Sequence, residues 1–434
     1  MALPELSVAF FLQIFVIVGA CRAMGWFGKR FLDQPQVVGE MIAGVVLGPS
    51  LLGLVAPDLQ AAIFPKDAKP ILYVCAQLGV GLYMFLVGLG FRTDHFRLNA
   101  RSAIAVSLSG MAAPFLVAFA LTPWLLGLDL FGKGITSLQV TLFMGACISI
   151  TAFPMLARII HERGLTGTPL GSLSLSAGAI DDAGAWVVLA IVLASFGGGS
   201  EVAVKAIVGG GAFAAFMIVL GPKVLAPLTR WAEREGRVTQ PMLAVVVMLF
   251  GLSAWAMDAA GMHSVFGGFL LGVVMPRGVL TREVRKQVEP FTTALLVPMF
   301  FAFSGLNTQL TMVNSVDLIL VTAVILIGSV GAKGVACWAA ARATGQDNAT
   351  AMAVGTLMNA RGLMELIIIN IGLQKGIIGP ALFSMLVIMA IVTTLMASPL
   401  FEIVYGRKAR ETGALGQLNE DDDVASVPAR PSLR

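Results

Sequence analysis

The sequence predicts an all-α polytopic membrane protein of thirteen transmembrane helices. Three observations predict it. Apolar runs of about 20 residues, the length a helix needs to cross hydrocarbon, recur along the whole chain. Only 12% of the 434 residues are charged and 57% are hydrophobic, which is about half the charged share of a soluble domain. The basic residues between the runs alternate from many to few, loop after loop, as they do in a correctly counted bundle.

The expected spans are 5–24, 36–54, 71–90, 102–126, 137–157, 169–196, 203–228, 240–257, 262–276, 290–307, 315–341, 348–373 and 380–405. No basic region precedes the first run, so it reads as a retained span and not a signal peptide. One set of alternate loops carries Arg22, Lys29 and Arg30; Arg92, Arg97 and Arg101; Arg158 and Arg163; Lys223, Arg230, Arg234 and Arg237; Arg277, Arg282, Arg285 and Lys286; and Arg342. With five more after Tyr405, that side holds 22 of the 29 basic residues, whereas the opposite loops hold only Lys66, Lys69, Lys133, Lys205 and Lys375. The imbalance places the N-terminus outside and the C-terminus in the cytoplasm.

One transmembrane unit, 1–405, is followed by a polar tail, 406–434, with the acidic run Glu420-Asp-Asp-Asp. The tail is expected to be solvated and disordered, and no soluble nucleotide-binding or regulatory domain is expected. The net charge of +4 is spread along the chain, so no nucleic-acid partner is expected. Cys21, Cys75, Cys147 and Cys337 fall in apolar runs without metal-ligand spacing and read as small buried residues. His95, His161 and His263 lie in loops and read as solvated.

Two segments repeat. Gly39-Glu-Met-Ile-Ala-Gly-Val-Val-Leu-Gly-Pro49 in span 2 echoes Gly267-Gly-Phe-Leu-Leu-Gly-Val-Val-Met-Pro276 in span 9. The end of span 3, Met84-Phe-Leu-Val-Gly-Leu89, echoes the end of span 10, Phe301-Ala-Phe-Ser-Gly-Leu306. Both pairs are seven spans apart, and an odd offset inverts the second copy in the membrane. Inverted repeats with interrupted helices are a pattern of secondary transporters. The same offset pairs span 5 with span 12. Span 5 contains Ser149-Ile-Thr-Ala-Phe-Pro154, where Pro154 lacks a donor and crowds the preceding turn, so the helix should open near 151–153. Span 12 contains the polar patch Asn359-Ala-Arg-Gly362. Two crossed, discontinuous helices are therefore expected, with Arg361 and the Asp181-Asp182 pair balancing the charges of their half-helix ends.

Apart from residues counted with the loops or lying at the outermost span ends, the intramembrane ionisable set is Glu40, Asp181, Asp182, Lys333, Arg361 and Glu365. A charged side chain at the bilayer centre costs about 2.5–3.5 kcal/mol on insertion scales, and such residues mark ion or proton paths. Asp182 is thirteen residues from Pro169 and fourteen from Phe196, near the midplane. Adjacent helical residues point about 100° apart, so Asp181 and Asp182 face different surroundings. Lys333, set among glycines that allow close helix approach, is the fixed partner for one of them. Arg361 and Glu365 are one helical turn apart and read as a structural pair. For Glu40, near a span end, a solvated or capping role stands beside a direct one. For Thr151, a bond back to its own helix stands beside a role at the site.

With these residues in view, the chain resembles the monovalent cation:proton antiporter-2 family, which includes bacterial sodium/proton antiporters, potassium efflux systems and plant cation/proton exchangers. The resemblance rests on Val37–Pro49, Ile148–Arg158, Ala179–Trp186 and Gly355–Leu366 and covers 5–405. It implies a sodium/proton antiporter fold and a homodimer in the lipid bilayer that moves by an elevator-type motion. Spans 1–3 and 8–10 would form the dimer domain, and spans 4–6 and 11–13 the core. It implies that Asp182 carries the ion and that Asp181 is the preceding position that pairs with Lys333. That preceding position is Asp in electrogenic sodium antiporters, and Asn or Gln in many electroneutral or potassium-linked members.

The expected activity is exchange of a monovalent cation, sodium first and potassium second, for protons across a bacterial inner membrane. Hydrocarbon disfavours the bare carboxylate, so Asp182 is expected to hold either a proton or a cation. The cation ligands would be Asp182, Asp181 and Thr151. Ser149, Pro154, Asn359, Arg361 and Glu365 would support the broken helices. No cofactor is expected beyond the transported Na+ or K+ and H+. Rival readings are a potassium efflux channel-like transporter and a sodium-coupled organic-anion symporter. An intramembrane aspartyl protease is disfavoured because adjacent carboxylates on one helix point apart, so no enzymatic activity is expected.

Overall fold

A computed structural model describes residues 3–32, 34, 36–90, 96–163, 165, 168–196, 208–260 and 264–406. The tail 407–434, His95, His263 and several of the loop cations (Arg92 and Lys205 among them) lie outside the described residues, as do the side chains of Pro154, Arg158 and His161.

The described chain is helical. Its helices are α1 Leu3–Leu32, α2 Gln36–Leu47, α3 Lys69–Gly90, α4 Phe96–Leu126, α5 Ser137–Ser149, α6 Phe153–Glu162, α7 Pro169–Phe196 and α8 Gly210–Glu235. They continue as α9 Gln240–Ala259, α10 Ser264–Val274, α11 Val279–Phe291, α12 Val297–Leu306, α13 Val316–Ala343, α14 Asn348–Leu357, α15 Leu363–Gln374 and α16 Pro380–Phe401. Among the described residues, nine helices are long and apolar enough to cross a membrane, and several shorter apolar ones accompany them. The protein is integral to the membrane. Several helices outrun the lengths expected from hydropathy: α1 continues to Leu32 and α8 to Glu235. Span 2 instead stops early. α2 ends at Leu47, the chain turns at Gly48, and two short helices, Leu52–Val55 and Pro57–Ile63, follow. The amphipathic helix α11 was not expected. Its Leu280 and Val284 pack on Leu225, Leu228 and Ala232 of α8, and its cations stay exposed. A π-helical turn at Thr292–Leu296, between Pro290 and Pro298, joins it to α12.

The inverted repeat is visible in the packing. α2 lies against α12, where Gly44 and Gly305 meet backbone to backbone with no room for a Cβ on either. α3 lies against α10, where Gly88 and Gly272 meet in the same way. Gly44 and Gly272 are equivalent in the first echo, and Gly305 and Gly88 in the second, so the repeat exchanges one contact for the other. A third pair follows the rule. Gly39 of α2 abuts Gly25 of α1, while its counterpart Gly267 of α10 abuts Ser253 and Ala254 of α9. Lipid tails give helices no hydrophobic reason to associate, so dispersion between closely approaching backbones carries these contacts.

α4 to α7 and α13 to α16 supply most of the largest buried cluster, including Phe143, Leu156, Ala185, Leu357, Phe383 and Leu386, and it continues into α2, α3, α10 and α12 through Met41, Met84, Phe269 and Phe300. Bonds cross between this group and the other helices at a few points. Asn370 Nδ2 donates to Ser304 Oγ at 3.2 Å, and the Gln309 backbone N–H donates to Ser384 Oγ at 2.9 Å.

Candidate functional site

The two interruptions fall where expected. α5 ends at Ser149, α6 begins at Phe153, and residues 150–152 between them lie outside any helix, with Ile150 extended. α14 ends at Leu357, and α15 begins at Leu363. The open stretches touch. The Ala152 N–H donates to the Ala360 carbonyl at 2.9 Å, and the Thr151 hydroxyl donates to the Met358 carbonyl at 2.7 Å. Thr151 therefore bonds across the crossing and not back to its own helix. Asn359 Nδ2 donates to Gly355 O at 2.9 Å and closes the end of its own half-helix.

The last carbonyls of α5 are met by full positive charges. Arg361, wholly buried, donates from Nη1 to Cys147 O at 2.9 Å and from Nη2 to Ile148 O at 2.5 Å. Lys333 Nζ donates to the third carbonyl, Ser149 O. A helix C-terminus carries partial negative charge, and cations stabilise it. Arg361 is oriented by Ser329, whose Oγ its Nη2 also reaches, and its own carbonyl accepts from Thr394 Oγ1 at 2.8 Å. Glu365 lies 3.4 Å from Arg361 in the first turn of α15, where a helix N-terminus favours an anion.

α7 crosses this region with both aspartates at 0% exposure. They meet different surroundings. Asp181 is fully engaged: Lys333 Nζ donates to Oδ2 at 2.8 Å, and Ser107 Oγ of α4 donates to Oδ1 at 2.6 Å. Neither oxygen of Asp182 has a hydrogen bond of normal geometry among the described residues. The polar group that faces Asp182 is the backbone N–H of Phe153, the first residue of α6. The N-terminal end of a half-helix thus points at Asp182. Gly178 makes the approach possible, because its missing side chain admits Leu156 and Phe153 against α7.

A buried carboxylate with orphaned oxygens, beside a break rich in backbone carbonyls, has the hard-oxygen chemistry that suits a monovalent cation, and it equally suits a proton. Its neighbour cannot take either role while Lys333 and Ser107 hold both of its oxygens.

Most residues singled out from the sequence meet at this crossing: Asp181, Lys333 and Ser149 at one contact, Arg361 and Glu365 at another, and Thr151 and Asn359 around the second break. Glu40 is a correction to the solvated reading. It is 4% exposed and accepts from Gln36 Nε2 at 2.7 Å on α2. A charge placed one turn into a helix is buried here because α1 packs over it, with Cys21 donating to the Glu40 carbonyl. Cys75 is half-buried, and the other three cysteines are buried. Ser107, Ser329 and Thr394 were missed. Each is one hydroxyl in an apolar helix, a pattern too common in membrane helices to single out any of them.

A family model described as "Sodium/hydrogen exchanger, transmembrane" matches residues 13–404. The Na(+)/H(+) antiporter NhaS4 of Synechocystis is 39% identical over 401 residues, 91% of this chain and 96% of that protein. Cation/H(+) antiporter 18 of Arabidopsis thaliana is 34% identical over 421 residues, 93% of this chain but 50% of that protein. The structure of the sodium proton antiporter MjNhaP1 from Methanocaldococcus jannaschii superposes with a TM-score of 0.67, covering 96% of this chain and 100% of the other at 13% identity. At that identity the likeness speaks for the fold.

Proposed function

The chain belongs to the sodium/hydrogen exchanger family, and on that premise we propose that it exchanges sodium for protons at Asp182, with potassium as the second candidate cation. The observation that carries the assignment to Asp182 is its isolation. It is a buried carboxylate with no side-chain partner among the described residues, adjacent to a second carboxylate whose charge Lys333 already meets at 2.8 Å.

The mechanism is competition at one site. A proton or a cation neutralises Asp182, and the loaded site crosses the membrane. The bare carboxylate is disfavoured in that passage because a charge moved through low dielectric costs several kcal/mol, about. This penalty couples the two fluxes and suppresses leak. Thr151 and the carbonyls of the interrupted helices complete the cation's shell. If cation entry also separates Asp181 from Lys333, the lysine sheds a proton and net charge moves. No covalent bond is made or broken in this cycle.

We assign the moving unit to α4–α7 with α13–α16 and the fixed unit to α1–α3 with α9–α12. The fixed unit mediates a homodimer, and the motion is of the elevator type. The chain runs in thirteen spans through a bacterial inner membrane, with its N-terminus outside. The positive-inside count supports this orientation. Potassium stays the second candidate because Asn359-Ala-Arg-Gly362 resembles the plant exchangers.

The test is exchange in proteoliposomes with sodium, potassium and lithium, with and without an imposed voltage. Asp182→Asn should reduce exchange to background while the protein stays folded. Undiminished pH-dependent exchange by that variant would sink the assignment. Single-channel currents would favour the channel reading.

A further inference from the structure

We propose that Asn370 is a positioning residue for the exchange: its bond to Ser304 holds the moving unit against the fixed unit in this conformation, and release of that bond limits turnover. This rests on the assignment of the two units and of their relative motion.

The seam between the units supplies the observations. Asn370 belongs to α15 of the moving unit and Ser304 to α12 of the fixed unit. Asn370 Nδ2 donates twice, to Leu366 O of its own helix at 2.8 Å and across the seam to Ser304 Oγ at 3.2 Å. The first bond fixes the direction of the second. Both side chains are buried, at 5% and 3% exposure, so bulk water does not compete for the amide. Asn370 Oδ1 has no hydrogen-bond partner among the described residues, which leaves the N–H as the amide's hold on the fixed unit.

The packing beside this bond is incomplete. A small cavity in the seam is lined by Met41 and Val45 of α2, Phe301 and Ser304 of α12, and Leu366 and Val387 of the moving unit. Walls that face a void lose their dispersion contacts on that side. Apolar packing therefore holds the units less firmly here, and the hydrogen bond counts for more. Others cross the same seam. The Gln309 backbone N–H donates to Ser384 Oγ of α16 at 2.9 Å, and Gln34 Nε2, between α1 and α2, donates to Leu395 O of α16 at 3.3 Å. These bonds join uncharged groups, and a neutral hydrogen bond is worth little enough, net, to be broken in every cycle. Asn370–Ser304 joins two side chains, so it can be removed from either end without touching the backbone.

The consequence is mechanical. A hydrogen bond acts over about 3 Å, so sliding the moving unit by one helix turn, about 5.4 Å, parts Asn370 from Ser304. The bond is lost before the loaded site crosses, and its loss adds to the barrier for leaving this conformation. Neither residue is among the cation ligands proposed above, so the bond sets the rate of exchange and not the affinity for the cation.

The experiment measures exchange in proteoliposomes, as maximal rate and half-saturating sodium concentration. It compares wild type, Asn370→Leu, Ser304→Ala, Ser304→Thr and the Asn370→Leu/Ser304→Ala double variant. Asn370→Leu and Ser304→Ala should each raise the maximal rate about five-fold and leave half-saturation at its wild-type value. Ser304→Thr, which keeps the hydroxyl, should keep the wild-type rate, and the double variant should be no faster than either single one. A wild-type or slower rate in either single variant, additive gains in the double one, or a shifted half-saturation overturns the proposal. If Asn370→Leu does not fold, Asn370→Ser, too short to reach across, takes its place with the same criteria. A second measurement separates the premise. The Ser304→Cys/Asn370→Cys pair, joined by a short cleavable thiol cross-linker, should lose exchange, and cleavage should restore it. Undiminished exchange by the linked pair removes the moving unit, and the proposal falls with it. Failure of the proposal alone is blocked exchange in the linked pair beside a silent Asn370→Leu.

Discussion

The two helix breaks are equivalents in the inverted repeat, yet they are stabilised by different chemistry. At the first, three successive carbonyls of α5 are met by Arg361 and Lys333. At the second, Met358 O and Ala360 O accept from a neutral hydroxyl and a backbone N–H. The N-terminal ends differ as well. Each second half-helix has a buried acid at its start, Asp182 facing the Phe153 N–H of α6 and Glu365 in the first turn of α15. Glu365 has Arg361 at 3.4 Å, whereas Asp182 has no cation among the described residues. Backbone symmetry makes two similar anion positions, and side chains neutralise one of them. The other has no such side-chain partner among the described residues, which is why Asp182 is the proposed carrier.

The comparison breaks most sharply at the two acids. Asp182→Asn should reduce exchange to background, and Glu365→Gln should leave measurable exchange in a less stable protein. The reverse ranking in proteoliposomes would move the site to the second break. Next in size is the pair behind the first break. Lys333→Met strands Asp181 in the dry core and should cost about 3–5 kcal/mol, read as a fall in unfolding temperature in detergent. Lys333→Met combined with Asp181→Asn should recover part of that loss. A double variant no more stable than the single would mean that Lys333 acts chiefly on Ser149 O.

The repeat itself is tested by its glycines. Gly305→Ala and Gly88→Ala sit at equivalent contacts and should each destabilise by about 1–3 kcal/mol through overpacking. Gly211→Ala, which meets nothing within 4 Å, should be neutral or stabilising by up to about 1 kcal/mol. Unequal costs at Gly305 and Gly88 would show that the two contacts are not mechanically equivalent. The smallest effect is expected at the neutral cap. Thr151→Val should lose about 1 kcal/mol, and Thr151→Ser should keep it, by the same thermal measurement.

Much of this was legible because the informative residues are rare. Six ionisable residues within the membrane, in a chain with so little charge, have few partners to choose from, so Lys333 with one of the two aspartates and Arg361 with Glu365 followed from sign, depth and spacing, and the family resemblance pointed to Asp181 as the one. The opening after Ser149 followed from Pro154, whose effect is local. Hydroxyls were not legible in this way, since Ser107 and Ser329 are two among many and carry no charge that demands an answer. The solvated alternative for Glu40 fell for a related reason: distance from a helix end does not say whether another helix covers it.

By itself, the sequence determined that the chain is a membrane-embedded bundle, roughly where its spans lie, that its halves repeat in inverted order, and which helices break. Hydropathy, loop charge and proline act on the chain locally, so these properties are written in runs of neighbouring residues. The tertiary structure alone decided that Arg361 closes the end of a helix 214 positions away, that Ser107 holds Asp181, and that Asp182 has no side-chain partner among the described residues. Those outcomes depend on which faces of distant helices meet. A hydrogen bond acts only over about 3 Å, so nothing short of the packed bundle specifies it.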